Sequence, residues 1–338
     1  MRSPAFVIVS IALLPSLLWA APREKEQRPD PSGAPPHPSY VQKVQPAIVG
    51  IKVQVPADRP SALTLGRERW GSGVVFDSAG YAVTVSYVLL DADRIEVSLH
   101  GGRKFPARLV GLDLEVGLGV IKIDGPGPFV AAPLGDSSGV SVGQITATVG
   151  VDDDGDLVAT PGSVHAIRSF AGYWEYMLDR AFIIAPYNPA FGGSALVNER
   201  GEVIGVASLR LGERPLVNLA IPIEKFLRDK DELIREGRVT SRKPRPWLGL
   251  YTIPAEGEGV VVVGVSPVGP AVSAGFQRGD RIVRLNGESV RSQEEFYSRL
   301  WQNQVGQEIT LVVVREAQFH AITIKPADRY GFFRTTGQ

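Results

Sequence analysis

The chain of 338 residues is long enough for about two domains, and its 36 basic side chains equal its 36 acidic ones. That balance gives no indication of a nucleic acid or an anionic membrane surface as a partner. The chain has no cysteine, which excludes disulfides, thiolate zinc sites, a cysteine nucleophile and a lipidated cysteine.

The first 38 residues predict an export signal followed by a tether. Arg2 precedes the apolar run 6–19, and the small residues Ala20 and Ala21 follow it, so residues 1–20 predict a secretory signal peptide. The alternative is a membrane anchor that is never cleaved, although a spanning helix needs about 20 apolar residues. We therefore expect an exported protein, periplasmic or secreted. Residues 21–38 are polar and proline-rich, which predicts an extended tether.

Residues 39–236 predict a β domain that ends in one helix. Short β-branched runs such as "AIVGIKVQV", "YAVTVSYVLL" and "EVIGVASLR" are separated by turns, and the chain holds 37 glycines and 26 prolines. This spacing is typical of an all-β sandwich or a pair of barrels. The stretch "IEKFLRDKDELIREG" carries an apolar stripe at helical spacing. Residues 237–244 are basic and proline-containing, and predict a solvated linker.

Residues 245–328 predict a compact α+β module, followed by a tail over 329–338. The runs "WLGLY", "GVVVVGVS", "RIVRLNG" and "EITLVVVRE" predict strands, and "SQEEFYSRLWQNQ" predicts a helix with Ser292 as N-cap and Glu295 at the capping-box position. The order of these elements, and above all the run "PAVSAGFQRGDRIVRLNGESV", closely resembles a bacterial PDZ domain.

The PDZ resemblance implies a groove for peptides. PDZ domains add a peptide strand to a sheet edge and hold the terminal carboxylate with backbone N–H groups. In the family, an aromatic or aliphatic residue, an apolar residue, a glycine and an apolar residue form the carboxylate loop. Here those positions, with two from the helix face, are Trp247, Leu248, Gly249, Leu250, Phe296 and Leu300.

The β domain in turn resembles the trypsin-like protease domain of the HtrA family. Four segments carry the resemblance in order along the chain: "GSGVVFDSAGYAVT", "ARLVGLDLEVGLGVIKI", "NPAFGGSALVNERGEVIGV" and "VNLAIPI". The implied fold class is an all-β domain of two trypsin-like barrels followed by a small α+β PDZ domain.

The family's catalytic triad falls on three residues of other types. The positions of histidine, aspartate and serine are occupied by Tyr87, Gly117 and Gly192. A tyrosine with an ordinary pKa near 10 is a poor base at neutral pH, and a glycine has no oxygen with which to attack. Since the three triad groups work as a unit, this pattern predicts a pseudoprotease.

Ser194 is the one fallback nucleophile near the turn. Moving it to the nucleophile position would shift the strands that follow by two residues and break their register. It would also need a base, and none of the histidines matches a triad position; they are His37, His100, His165 and His320. We expect each to be structural, with His165 the least implausible exception because it lies in the same β region.

The implied oxyanion hole is altered as well. In the family it uses the backbone N–H groups of the nucleophile and of a glycine two residues earlier, and that glycine is Ala190 here. The neighbouring Phe191 replaces a small or polar residue. Loss of an oxyanion hole removes a large share of catalysis.

No metal or cofactor site is predicted, because the acidic run "VDDDGDL" has no calcium-loop spacing and "GGRK" lacks the context of a phosphate loop. The expected function is an inactive HtrA-like protein that binds peptide C-termini or misfolded proteins in envelope quality control. One alternative is an active serine endopeptidase that uses Ser194. Another is a regulator or scaffold for active paralogues, as a homotrimer or hetero-oligomer formed through the N-terminal segment around Tyr40 and Val41.

Overall fold

The computed structural model describes residues 37–337 and contains two closed β-barrels followed by a smaller α+β module. The predicted signal peptide and nearly all of the predicted tether lie outside the described residues. Within the described part of the chain, no helix is both long enough and apolar enough to cross a membrane.

The first barrel is built from six antiparallel strands that close in the order β1-β2-β3-β6-β5-β4. Its strands are β1 Ile48–Gln54, β2 Glu68–Val75, β3 Tyr81–Val85, β4 Arg94–Ser98, β5 Lys104–Asp113 and β6 Leu118–Ile123. Three short helices accompany it: α1 Ser39–Val44, α2 Pro60–Leu65 and α3 Ser86–Leu89. Buried and less buried positions alternate along β1, as expected when one face of a strand lines a barrel core.

The second barrel closes in the order β10-β11-β12-β9-β8-β7. Its strands are β7 Ile145–Val151, β8 Leu157–Gly172, β9 Tyr176–Ala185, β10 Ala195–Asn198, β11 Val203–Leu211 and β12 Val217–Pro222. The long hairpin of β8 and β9 turns at residues 173–175. Helix α4, Glu224–Glu236, follows the barrel and ends at Gly237, which has a φ of 75° and donates its N–H to Leu233 O at 3.0 Å. This is the left-handed C-cap geometry that glycine favours.

The C-terminal module, residues 246–328, has a six-stranded antiparallel sheet with one helix packed on it, and a separate two-stranded sheet. Its elements are β13 Pro246–Trp247, β14 Leu250–Pro254, β15 Val260–Val265, α5 Pro270–Ser273, β16 Arg281–Leu285, β17 Glu288–Ser289, α6 Gln293–Leu300, β18 Ile309–Arg315, β19 Gln318–Ile324 and β20 Ala327–Asp328. Ser292 Oγ accepts the Glu295 N–H at 3.1 Å, as predicted for the helix N-cap. The predicted fold class, two barrels followed by an α+β module, is confirmed.

The segment between α4 and β13 is held against the first barrel. The Arg242 guanidinium pairs with Asp113, which is buried, and with Glu115 at 3.3 Å. Glu232 accepts hydrogen bonds from the backbone and side chains of Thr240 and Ser241. The predicted linker is therefore exposed in part, at residues such as Ser241 and Lys243, while Arg242 binds the barrel.

The tail also returns to the first barrel. Tyr330 Oη donates to Leu112 O at 3.1 Å and accepts the Leu114 N–H at 3.0 Å. Farther along, Arg334 N donates to the Asp91 carboxylate at 2.6 Å. The end of the described chain is therefore tied to the domain with which the fold begins.

Candidate functional site

The Tyr87 side chain lies at the position that the HtrA resemblance gives to histidine. Its hydroxyl donates to Ser208 O at 2.6 Å, across the two barrels. Burial raises the pKa of Tyr87 well above its ordinary value of 10, and nearby Tyr187 adds to the effect. The phenol therefore holds its proton in a hydrogen bond to a backbone carbonyl.

Gly117, at the aspartate position, faces a ring that fills the space a side chain would need. A Cβ on Gly117 would lie 2.9 Å from Tyr176 Oη, and Gly117 has a φ of 87°. The Tyr176 hydroxyl donates to Val116 O at 2.6 Å, and its ring stacks on Trp174 with centroids 5.4 Å apart. Because that ring is fixed on two sides, no carboxylate can be accommodated there without repacking.

Gly192, at the serine position, lies in a turn fastened to the first barrel. Its carbonyl accepts the Ser72 N–H at 2.7 Å. A Cβ on Gly192 would lie 3.0 Å from Tyr87 Oη, and Ser86 N donates to Gly117 O at 2.9 Å. The structure thus brings the three predicted positions together at the junction of the barrels. The atom nearest to a Cβ at Gly117 or at Gly192 is the phenol oxygen of a tyrosine.

The turn before Gly192 is organised by the buried side chain of Asn188. Its amide group donates to Thr148 O at 2.8 Å, and its Oδ1 accepts the Ala190 N–H at 2.8 Å. The N–H that the resemblance assigns to the oxyanion hole is therefore already bonded within the chain. Phe191 packs near the ring of Tyr187, with centroids 6.0 Å apart.

Ser194 is fully buried at the interface of the two barrels. Its hydroxyl donates to Ala190 O and lies 3.3 Å from Ser72 Oγ. Ser72 Oγ in turn accepts the Val151 N–H at 2.8 Å. This arrangement makes Ser194 part of a hydrogen-bond network that joins the barrels.

The histidines are exposed, and His165 projects from β8 into solvent. Among residues 37–337, no three histidine, aspartate or glutamate side chains are placed together to hold a metal ion.

The loop that resembles a PDZ carboxylate loop has the backbone geometry required for close approach. Gly249 has a φ of 84°, and a Cβ there would lie 2.8 Å from Gly269 Cα. Trp247 packs behind the loop against Phe332 and Phe333 of the tail, with centroids 5.1 and 5.9 Å away.

A carboxylate from the second barrel lies in this loop. The Leu248 N–H donates to Glu175 Oε2 at 2.9 Å, and the Leu250 N–H donates to Glu175 Oε1 at 2.7 Å. Burial raises the pKa of Glu175 from 4.5 to about 7, although the N–H groups of Leu248 and Leu250 act in the opposite direction. Glu175 belongs to the turn between β8 and β9.

The space between β14 and α6, which we call the peptide groove, holds the rest of that turn. The Thr252 N–H of β14 donates to Tyr173 O at 2.7 Å. From α6, Tyr297 Oη donates to Gly172 O at 2.7 Å, while Gln293 Nε2 lies 3.4 Å from the same oxygen.

The predicted helix-face residues, Phe296 and Leu300, are fully buried in the core of the module. The polar contacts with the groove come instead from Gln293 and Tyr297. No local sequence pattern predicts these two residues or Glu175 as part of the groove. The only local signal is a glutamate placed between two aromatic residues, Trp174 and Tyr176.

Comparison with known proteins agrees with a trypsin-like domain followed by a PDZ domain. The model of a trypsin-like peptidase domain matches residues 71–206, and that of a PDZ domain matches residues 239–325. A probable periplasmic serine endoprotease, DegP-like, of Halomonas elongata is 30% identical over 276 residues, 78% of this chain and 57% of that protein. The chain thus spans less than two thirds of that relative's length.

Two further relatives match over more of their length. Serine endoprotease DegS of Escherichia coli is 32% identical over 267 residues, which is 73% of each chain. The solved structure of HtrA-type protease AlgW with decapeptide superposes with a TM-score of 0.53 at 26% identity, covering 86% of this chain and 98% of that one. The chain therefore belongs to the HtrA family of trypsin-like serine proteases that carry a PDZ domain.

Proposed function

We propose that this family member is catalytically inactive and that it binds peptides through its PDZ domain. The observation that carries the first half is the set of side chains at the triad positions. Tyr87 holds its proton against Ser208 O, Tyr176 fills the space beside Gly117, and Gly192 offers no hydroxyl. A nucleophile and a general base within hydrogen-bond reach are the minimum for acyl transfer.

The second half rests on the peptide groove. The Leu248 and Leu250 N–H groups converge on one carboxylate, and the Thr252 N–H points to a carbonyl two residues before it. This is how a PDZ domain receives the end of a peptide chain. We propose that the partners are peptide C-termini or misfolded proteins in envelope quality control. The N-terminal sequence and the periplasmic relative named above support an exported protein, either free or anchored.

Casein hydrolysis tests the first half. Purified wild type and the Ser194→Ala variant are incubated with unfolded casein, and fragments are followed over hours. We expect no cleavage by either protein. Cleavage by the wild type that disappears in Ser194→Ala would establish the rival function, an active endopeptidase with a relocated nucleophile.

The binding half is tested with Gly249→Pro, which distorts the carboxylate loop and removes one of its N–H groups. We expect loss of affinity for a peptide that has a free C-terminal carboxylate. Unchanged affinity would contradict the groove assignment.

A regulatory role beside active paralogues is the third candidate, and co-purification of mixed oligomers would favour it. Val41, one of the two residues expected at a trimer contact, is fully buried in the chain's own core, so it cannot make that contact. Tyr40 is only partly buried.

A further inference from the structure

We infer that the tip of the β8–β9 hairpin, residues 172–175, is an internal ligand of the peptide groove, and that an external peptide must displace it to bind. The inference rests on the proposed peptide-binding function and adds a competitor built into the same chain. The external ligand is a peptide with a free terminal carboxylate.

The first support is the carboxylate itself. Both oxygens of Glu175 accept backbone N–H groups of the loop, from Leu248 at 2.9 Å and Leu250 at 2.7 Å. Only 6% of Glu175 is exposed, so water cannot replace these donors. A carboxylate on two backbone N–H groups is the chemistry by which PDZ domains recognise a chain end. The Glu175 side chain supplies it without a chain end.

The second support is the spacing along β14. Leu250 donates to the Glu175 carboxylate, and Thr252, two residues farther, donates to Tyr173 O at 2.7 Å. Glu175 and Tyr173 are also two residues apart, and the chain of the hairpin tip runs antiparallel to β14. An added antiparallel strand has this repeat of two, so the tip follows the path of a bound peptide.

The third support comes from α6, which closes the other side of the groove. Tyr297 is fully buried, and its hydroxyl donates to Gly172 O at 2.7 Å and accepts the Glu175 N–H at 3.2 Å. Gln293 Nε2 also contacts this network, since it donates to Thr252 O at 2.6 Å. Both walls of the groove are therefore bonded to the hairpin tip.

The backbone of the tip is itself unusual. Glu175 has a φ of 55°, in the left-handed region where glycine and asparagine are favoured. A glutamate there carries a local conformational cost that a glycine would avoid. That cost is explained if the side chain is needed in the carboxylate loop.

An internal ligand lowers apparent affinity by the fraction of time that the groove is open. Tethered ligands act at effective concentrations on the order of 1 mM, so an internal ligand with an intrinsic Kd of about 10 µM would weaken the binding of an external peptide about 100-fold. The preferred peptide carries an aromatic residue two positions before its end, because the Tyr173 ring packs on Tyr251 with centroids 5.9 Å apart.

The test uses the full chain and a decapeptide that ends in Gly-Tyr-Trp-Leu with a free carboxylate. We expect Glu175→Ala to bind this peptide at least 10-fold more tightly than the wild type. Glu213→Ala, which alters an exposed glutamate in the turn between β11 and β12, is the matched control and is expected to bind as the wild type does. The same peptide with a C-terminal amide is expected to bind none of the three proteins. If Glu175→Ala does not fold, Glu175→Gly, which suits the positive φ of this position, replaces it.

Equal affinity of the wild type and Glu175→Ala for the peptide would contradict the inference of an internal ligand. It would still support the peptide-binding function. Absence of binding by every variant would contradict the proposed function. In that case hydrogen exchange tests, without any added peptide, whether the hairpin tip occupies the groove. The Leu250 and Thr252 amides are expected to exchange at least 10-fold faster in Glu175→Ala than in wild type or Glu213→Ala, and unchanged exchange would overturn it.

Discussion

The hydroxyl of Tyr87 lies 3.0 Å from the point that a Cβ on Gly192 would occupy, so the residues at the histidine and serine positions face each other across the barrel junction. At the position that the resemblance gives to the base, the Tyr87 phenol donates to Ser208 O, and the position that it gives to the nucleophile has no side-chain oxygen. This relationship makes the consequences of restoring the triad predictable.

Restoring the three residue types is not expected to restore proteolysis. In the triple variant Tyr87→His, Gly117→Asp and Gly192→Ser, the new aspartate would meet the fixed ring of Tyr176, and the Ala190 N–H remains bonded to Asn188. Casein hydrolysis and labelling by a fluorophosphonate measure the outcome, with thermal unfolding as the check that the protein is folded. Turnover by a folded triple variant would contradict the prediction.

The packing at Gly117 is expected to dominate its response to substitution. Gly117→Ala adds a Cβ 2.9 Å from Tyr176 Oη, whereas Gly102→Ala adds one with nothing within 4 Å, at a similar φ of 83°. The positive φ lowers the free energy of unfolding of both variants by about 1 kcal/mol. Overpacking against Tyr176 lowers that of Gly117→Ala by roughly a further 1–3 kcal/mol. Thermal unfolding measures the difference, and equal Tm losses would show that the Tyr176 ring moves aside freely.

Ser194 is expected to matter for stability. Ser194→Ala removes the nearer of two hydroxyl donors to the buried Ala190 carbonyl, leaving Ser72 Oγ at 3.5 Å, and it removes one member of the network between the barrels. An unsatisfied buried acceptor costs about 1–3 kcal/mol. Thermal or urea unfolding tests this against Ser78→Ala, an exposed serine. If Ser194→Ala is as stable as Ser78→Ala, the predicted structural role of Ser194 is contradicted.

The docked hairpin is expected to be most stable at acidic pH. Burial raises the pKa of Glu175 from 4.5 to about 7, so the docked state holds its proton more tightly than the unfolded chain does. Its contribution is therefore full below about pH 4.5 and is lost as pH rises to about 7. The groups that face the carboxylate are Arg329, which lowers its pKa, and the phenols of Tyr251 and Tyr297.

The measurement compares the Tm of wild type and Glu175→Gln between pH 5 and pH 8. The glutamine variant cannot titrate, so the difference isolates this one group. We expect the wild type to lose about 5 °C relative to the variant over that range, since one pKa unit is about 1.4 kcal/mol. Parallel Tm curves would contradict the assignment.

The sequence predicts those features that depend on neighbouring residues. The strand pair after Gly192 forms as expected, with Ala195 opposite Val206, because the polar stretch "NERG" between two apolar runs is a local turn signal. The N-cap at Ser292 follows from the same kind of signal. The amphipathic pattern of α6 gives an apolar face, but it cannot separate core residues such as Phe296 from the groove residue Tyr297.

The contacts that define the candidate sites are distant in sequence. Glu175 is 73 residues from Leu248, and nothing near either residue indicates that they meet. The pairing depends on how the hairpin and the C-terminal module pack, which is a property of the tertiary structure. For the same reason, the filling of the space beside Gly117 by Tyr176 is visible only once both barrels are built.

The β8–β9 hairpin supplies one residue to each of the two candidate sites. Glu175 lies in the carboxylate loop of the PDZ domain, and Tyr176, the next residue, fills the space beside Gly117 in the protease-like domain. Consecutive Cα atoms are only about 3.8 Å apart, so the backbone of Tyr176 cannot stay in place when Glu175 leaves the carboxylate loop. A peptide that displaces Glu175 would therefore also shift Tyr176, so the packing beside Gly117 would change when the PDZ domain is occupied.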